Sequence, residues 1–214
     1  HYLLIKQNEN TYSYSFNDRQ KPSDIRSISK TVLTVVAGIL MDLSAQGKYP
    51  HFDENTDVFP ILEDTINLTN LENKTQLKKV KVKHLLNHTI GYDKVLLMRD
   101  DITNIDPFTY LDYVINEPIK YEPGQYYLYS NAGFYLLSVV LQEFLKEDLL
   151  EFISRHLFHP LDIKDYHWDK YGDYLAGATR LKMYPEDLLK VGELLMSKGI
   201  YNNKRIVSSQ WIVN

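Results

Sequence analysis

Residues 27–43 read Ser27-Ile28-Ser29-Lys30-Thr31-Val32-Leu33-Thr34-Val35-Val36-Ala37-Gly38-Ile39-Leu40-Met41-Asp42-Leu43. From residue 31 onward nearly every side chain is apolar or small on all sides of the helical period, and Gly47 supplies a C-terminal stop. A helix of that kind is buried all round, so this stretch predicts the central helix of a core. The polar run Asn17-Asp18-Arg19-Gln20-Lys21-Pro22-Ser23-Asp24 marks the turn into it. Ser27 then opens the helix, where free backbone N–H groups and the positive end of the helix dipole favour developing negative charge. A hydroxyl and an amine three residues apart lie on one helix face, so Lys30 is placed to help take the Ser27 proton. This pairing reads as a nucleophile and its partner, against the competing reading of Ser27 as an ordinary helix cap.

Working outward, Tyr2-Leu3-Leu4-Ile5-Lys6-Gln7, the turn Asn8-Glu9-Asn10 and Thr11-Tyr12-Ser13-Tyr14-Ser15-Phe16 predict a β-hairpin rich in aromatic and β-branched residues. After the central helix, residues 50–60 form an irregular acidic segment, and residues 80–88 predict a short strand turning into a helix that ends near Gly91. Further helices are expected at 109–115, 132–144, 149–157 and Pro185–Met196, the last with Pro185, Glu186 and Asp187 at its start. One hairpin followed by mostly helix makes the fold class α+β.

Composition excludes several function classes. With 24 Lys+Arg against 28 Asp+Glu, the chain lacks the basic footprint of a nucleic-acid binder. Cysteine is absent, which removes disulfides, thiolate nucleophiles and Cys-ligated zinc while leaving the compartment open. No apolar run reaches the roughly 20 residues of a membrane span.

Two histidine pairs invite a metal reading. His84 and His88 stand four apart, but Leu85 occupies the place of a zinc-protease glutamate, so structural histidines are expected. His156 and His159 lack a carboxylate in a ligand-like register and precede Pro160, which suits a helix end. No metal and no cofactor are expected. Tyr129-Ser130-Asn131 carries more weight, because a Ser/Lys nucleophile needs a second proton-handling group for the leaving group. A tyrosine beside an ammonium ionises more easily than in water, and the asparagine amide can hold both the lysine and a substrate carbonyl. A second Tyr-x-Asn occurs at Tyr201-Asn202-Asn203. Tyr129 is preferred because it follows the Tyr121-Glu122-Pro123-Gly124 turn and precedes an apolar helix, whereas Tyr201 lies in a Gly/Asn/Lys-rich, hairpin-like loop.

At this point the chain resembles the serine β-lactamase and penicillin-binding-protein superfamily, specifically its class C β-lactamase-related branch. The resemblance runs in order through Arg26-Ser27-Ile28-Ser29-Lys30-Thr31, Val82-Lys83-His84-Leu85-Leu86-Asn87-His88-Thr89-Ile90-Gly91, and Glu122-Pro123-Gly124 leading to Tyr129-Ser130-Asn131-Ala132-Gly133. It continues in His156-Leu157-Phe158-His159-Pro160-Leu161-Asp162-Ile163, Pro185-Glu186-Asp187-Leu188-Leu189-Lys190-Val191-Gly192 and Ile206-Val207-Ser208-Ser209-Gln210-Trp211. These last blocks are similar to the esterase and nylon-oligomer hydrolase side of the branch. The resemblance implies Ser27 as the acylated nucleophile, Lys30 as its proton-handling partner, Tyr129 as base and acid, and Asn131 as the amide that positions lysine and substrate. It implies a small-molecule or peptide substrate: an ester, an amide, a β-lactam or a D-amino-acid peptide. It also favours an extracytoplasmic location, at a bacterial cell surface or secreted.

Two departures are expected not to touch the chemistry: Ile90 where relatives carry serine, and Gly177-Ala178 where they often carry a glycine pair. A third concerns the superfamily's His/Lys-x-Gly element, whose strand edges the site and supplies one oxyanion-hole N–H. Nothing after Asn131 fits it in position and setting. Residues 1–214 are therefore read as a single β-lactamase-like domain that is incomplete, with only the N-terminal hairpin of its antiparallel sheet present. Two functions follow: a serine hydrolase working through an acyl-enzyme, or a non-catalytic or truncated relative that binds or slowly acylates a ligand without efficient turnover.

Overall fold

The computed structural model describes residues 2–8, 10–16 and 21–213. Glu9 of the hairpin turn and Asn17, Asp18, Arg19 and Gln20 of the polar run lie outside the described residues. The hairpin consists of β1 (Tyr2–Gln7) and β2 (Asn10–Ser15), antiparallel with Leu3 opposite Tyr14 and Ile5 opposite Tyr12. Next come β3 (Ser23–Asp24) and the long helix α1 (Ile28–Ala45). Short helices follow: α2 (Phe59–Leu62), α3 (Leu71–Leu77), α4 (Val82–Leu86), α5 (Arg99–Asn104) and α6 (Tyr110–Asn116). The second core helix is α7 (Ala132–Leu145), followed by α8 (Leu149–Ile153) and a π-helical turn at Ser154–Phe158. The chain continues through β4 (Tyr166–Trp168), β5 (Lys170–Tyr171), β6 (Tyr174–Leu175), β7 (Leu181–Met183), α9 (Pro185–Met196), β8 (Ile200–Tyr201), β9 (Lys204–Arg205) and α10 (Ser209–Val213).

The α+β class holds, with helices dominating. α1 and α7 pack together at the centre, and α2, α4 and α8 also lie on α7. Val32, Leu33 and Leu40 of α1 and Leu137, Val139, Val140 and Leu141 of α7 are wholly buried. Shortening one such leucine to alanine removes about 2–5 kcal/mol, so these two helices anchor the remainder. By length and composition α1 could cross a bilayer, but most of it is buried inside the protein, which is what a core helix does. Gly47, at φ +73°, sits just past its end as the sequence predicts.

Sheet content exceeds the single hairpin expected. Three further small antiparallel sheets occur among the described residues: β3-β7-β4, β5-β6 and β8-β9. Their strands are two or three residues long, too short for period-two alternation to show in the sequence. The strand expected at residue 80 reduces to one bridge between Asp57 and Lys81, because Val80 and Val82 flank it inside the core. The hairpin rests on α9, with the Lys6 ammonium 2.6 Å from Glu193, while Leu3, Ile5, Tyr12 and Tyr14 face outward.

β7 is the strand that places the site. Met183 and Lys182 pair with Ser23 and Asp24, and Ile25 N–H donates to the Leu181 carbonyl at 2.9 Å. α10 docks on α1: Trp211 Nε1 donates to the Thr34 carbonyl at 2.9 Å, and Ser208 N–H donates to Asp42 Oδ2 at 2.6 Å. A Cβ added at Gly38 would lie 2.1 Å from the Trp211 ring. Gly38→Ala should therefore push the indole out of its seat and cost about 1–3 kcal/mol by overpacking. Urea unfolding with a red-shifted native tryptophan spectrum would report this; unchanged stability and emission would contradict it.

Candidate active site

Arg26 takes a left-handed conformation, φ +55°, and turns the chain sharply into α1. Ser29 and Lys30 N–H close this turn onto the Arg26 and Ser27 carbonyls at 3.0 and 3.1 Å. Ser29, fully buried, locks it from inside: its hydroxyl donates to the Arg26 carbonyl at 2.6 Å and accepts from Leu181 N–H at 3.4 Å. Ser27 is left exposed at the N-cap position, yet its side chain makes no capping bond. The ordinary-cap reading of Ser27 thus fails, and its hydroxyl is available for other work.

Asn131 repeats the pattern at α7. It stands at the N-cap without a side-chain cap bond, while neighbouring Ser130 accepts the Leu96 and Ala132 N–H groups at 2.9 and 3.2 Å. The Asn131 amide Nδ2 donates to the Leu97 carbonyl at 2.7 Å, which fixes Oδ1 as the end turned toward α1.

Lys30 joins these parts. Only 6% exposed, its Nζ lies 2.9 Å from Asn131 Oδ1, 3.0 Å from the Ala178 carbonyl and 3.4 Å from Ser27 Oγ. Two of these partners can only accept, so a neutral amine spends both hydrogens on them and turns its lone pair toward the serine. Burial pushes the amine below the ordinary lysine value, against the hydrogen bond and charge of Tyr129, which pull it up. Tyr129, two-fifths exposed, carries its ring 4.9 Å from Nζ. Burial lifts its phenol, but hydrogen bonds with Ser27 and Lys30 and the Lys30 charge outweigh that and leave it below the ordinary tyrosine value. All four residues singled out in the sequence therefore meet in one place.

The expectation that Gly177-Ala178 stands clear of the chemistry is overturned. Ala178 supplies one of the two carbonyls holding Lys30. Gly177 makes this possible: its φ is +61°, and a Cβ there would lie 2.3 Å from the Phe134 carbonyl. A backbone acceptor leaves no mark in residue type, so sequence reading had no means to find it. Lys170-Tyr171-Gly172 has the letters of the His/Lys-x-Gly element, but Lys170 is held by Asp148 at 2.8 Å in the β5–β6 hairpin. Tyr201-Asn202-Asn203 closes the β8–β9 hairpin with Asn202 and Asn203 both at positive φ, as a type I′ turn requires.

The histidines behave as side chains of the frame. His84 Nδ1 accepts the Lys81 N–H at 3.1 Å at the start of α4, and His88 lies beyond that helix in a left-handed turn. No group of three or more potential metal-ligating side chains occurs among the described residues. A cavity of about 630 Å³ runs beside α1 past Gly38, Asp42, Phe52 and Trp211, and none of the four site residues lines it.

Residues 15–211 match the sequence profile of the family described as Beta-lactamase. The chain belongs to the beta-lactamase family. Among curated relatives, protein flp of Staphylococcus aureus (strain MW2) is 25% identical over 124 residues, covering 52% of this chain and 24% of that protein. Among solved structures, a candidate beta-lactamase from Bacteroides dorei DSM 17855 superposes with TM-score 0.74 at 14% identity, covering 99% of this chain and 61% of that one. A penicillin binding protein from Bacillus halodurans gives TM-score 0.71 at 16% identity, covering 99% and 72% respectively. The chain thus spans about a quarter of the curated relative and three-fifths of the first of these structures. At such identities the solved structures establish the beta-lactamase fold.

Burial holds His84, His88 and His156 below the ordinary histidine value, helped by nearby cations: Lys83 for His84, Lys30 for His88 and Arg155 for His156. A base with a depressed native pKa binds fewer protons folded than unfolded, so stability should fall as pH drops below 6.5 and level off below the native values. Urea midpoints measured from about pH 7.5 down to about pH 5 test this, since a flat profile would contradict it.

Proposed function

We propose that the protein is a serine hydrolase that opens an ester, amide or β-lactam through an acyl-enzyme on Ser27. The observation that carries this reading is the buried Lys30 amine, held by two acceptors and facing the Ser27 hydroxyl. In the reactive state the Lys30–Tyr129 pair has lost one proton, so it can take the Ser27 hydrogen as Oγ bonds to the substrate carbonyl carbon. The carbonyl π electrons move to oxygen, where the Ser27 N–H at the head of α1 can stabilise the oxyanion. The proton then passes through Tyr129 to the leaving group as its bond to carbon breaks. Water repeats the sequence to release the acid and restore Ser27. Asn131 keeps Lys30 in place and offers its amide to the substrate. Within this reading the hairpin, both core helices and β7 belong to one catalytic domain.

A second reading is favoured by the β5–β6 hairpin, which pairs Lys170 with Leu175 and so does not offer this Lys-x-Gly run as the strand that would supply a second oxyanion N–H. In that case the protein acylates slowly and turns over poorly, because loss of one oxyanion donor costs about two to three orders of magnitude.

Incubation with a fluorescent penicillin and with p-nitrophenyl acetate, followed by intact mass, separates the readings. A hydrolase gives a Ser27-dependent adduct and continuing product release; the second reading gives one equivalent of adduct and a stalled reaction. Ser27→Ala should abolish the adduct with little loss of stability, and an adduct that persists in it would sink the assignment. Tyr129→Phe should slow acylation by about 10²–10⁴-fold. Because both Lys30 and Tyr129 are depressed, the wild-type rate should rise with pH and reach its plateau below the ordinary tyrosine range. Tyr129→Phe should displace that limb; an identical pH profile would remove Tyr129 from the proton path.

A further inference from the structure

His88 takes no part in the chemistry above, yet it lies directly against the group proposed as base. Its ring centroid is 4.8 Å from that of Tyr129, 5.3 Å from Phe134 and 6.0 Å from Tyr127. The backbone joins the same two segments, with Leu128 N–H donating to the His88 carbonyl at 3.0 Å. Tyr129 is two-fifths exposed, so few contacts restrain its ring; Lys30 lies on it from one segment and His88 from another. The imidazole itself is well held. A left-handed turn at φ +56° aims it inward, and Phe134 of α7 supports it.

The ring also reaches the backbone of Ser130, beside Tyr129, through a hydrogen bond. Nδ1 is buried and has no protein hydrogen-bond partner among the described residues. His88, Leu128 and Ser130 also line a small cavity of about 10 Å³. Toward Tyr129 itself His88 presents its ring, tilted by 43°.

We infer that His88 is a positioning residue whose ring, packed on Phe134, holds the Tyr129 phenol against Ser27 and Lys30. Burial and the Lys30 charge also disfavour its protonated form, so it adds no second cation beside the amine. The role rests on the proposed function of Tyr129 as the base.

Three variants test it: ringless His88→Ala, the bulkier but ringless His88→Leu, and His88→Phe, which keeps a ring and loses both nitrogens. Acylation by p-nitrophenyl acetate is followed against pH, with folded fraction taken from urea curves. Either ringless variant that folds should acylate about tenfold or more slowly, with KM changed less than about threefold and the acid limb moved to higher pH. His88→Phe should stay within about threefold of wild type with its limb in place. The inference is overturned by a ringless variant whose limb does not move, or by His88→Phe losing as much as the ringless forms.

A second readout does not depend on turnover. In protein carrying ¹³Cζ-tyrosine, the Tyr129 resonance is assigned by its loss in Tyr129→Phe and titrated directly. Its pKa should lie below the ordinary tyrosine value in wild type, rise in the ringless variants and return in His88→Phe. A phenol indifferent to residue 88 overturns the positioning role even if the protein acylates. A phenol that responds to residue 88 in a protein that never acylates supports the positioning role and sinks the hydrolase reading.

Discussion

Everything at the site depends on keeping a lysine amine inside the protein. Removing an ammonium from water is costly, and the cost is offset only when its hydrogens find fixed acceptors. For Lys30 those acceptors come from segments 101 and 148 residues away along the chain, Asn131 and Ala178. The amine can be buried only if the head of α7 and the approach to β7 arrive together. Much of the surrounding architecture serves that meeting: β3 pairs with β7, Ser29 clamps the turn to Leu181, and Ser130 pins the start of α7 to Leu96.

The two central helices pay for this arrangement at their own ends. Ser and Asn are strong capping residues, worth about 1 kcal/mol each when they accept a first-turn N–H. Ser27 and Asn131 occupy that position at α1 and α7 and make no such bond. At α7 the neighbouring Ser130 takes over part of the duty. Local stability is forgone where side chains are needed elsewhere, a pattern that marks sites of chemistry more than sites of packing.

The helices were the most legible part of the sequence. α9 spans the residues predicted, and α1, α6 and α7 differ from expectation by at most a few residues at either end, because each carries a sustained apolar period. α3 and α5 escaped notice: Leu71-Glu72-Asn73-Lys74-Thr75-Gln76-Leu77 and Arg99-Asp100-Asp101-Ile102-Thr103-Asn104 are polar and bury few side chains or none. The two- and three-residue strands around β7 were equally silent, since pairing at that length is imposed by tertiary packing rather than by local preference. At the site, the four side chains were readable by type and order. The carbonyl of Ala178 was not, because every residue has a carbonyl and only the fold decides which one points where. The contact of His88 with Tyr129 was not readable, because Tyr129 lies too far along the chain for sequence spacing to reveal it.

The seat of Trp211 against Gly38 bears on how the protein is made. It joins the last described helix to the first, and the Lys30–Ala178 contact spans nearly as far. Contacts of such separation form late, after loops of most of the chain have closed. A ribosome releasing this chain would therefore present α1 early, with its apolar flank bare and the amine without its acceptors. The nascent helix is a liability in need of shelter until the far segments emerge. Because Ser27 and Lys30 lie close in sequence but the acceptors of Lys30 do not, the amine gains its buried surroundings only when the fold is complete.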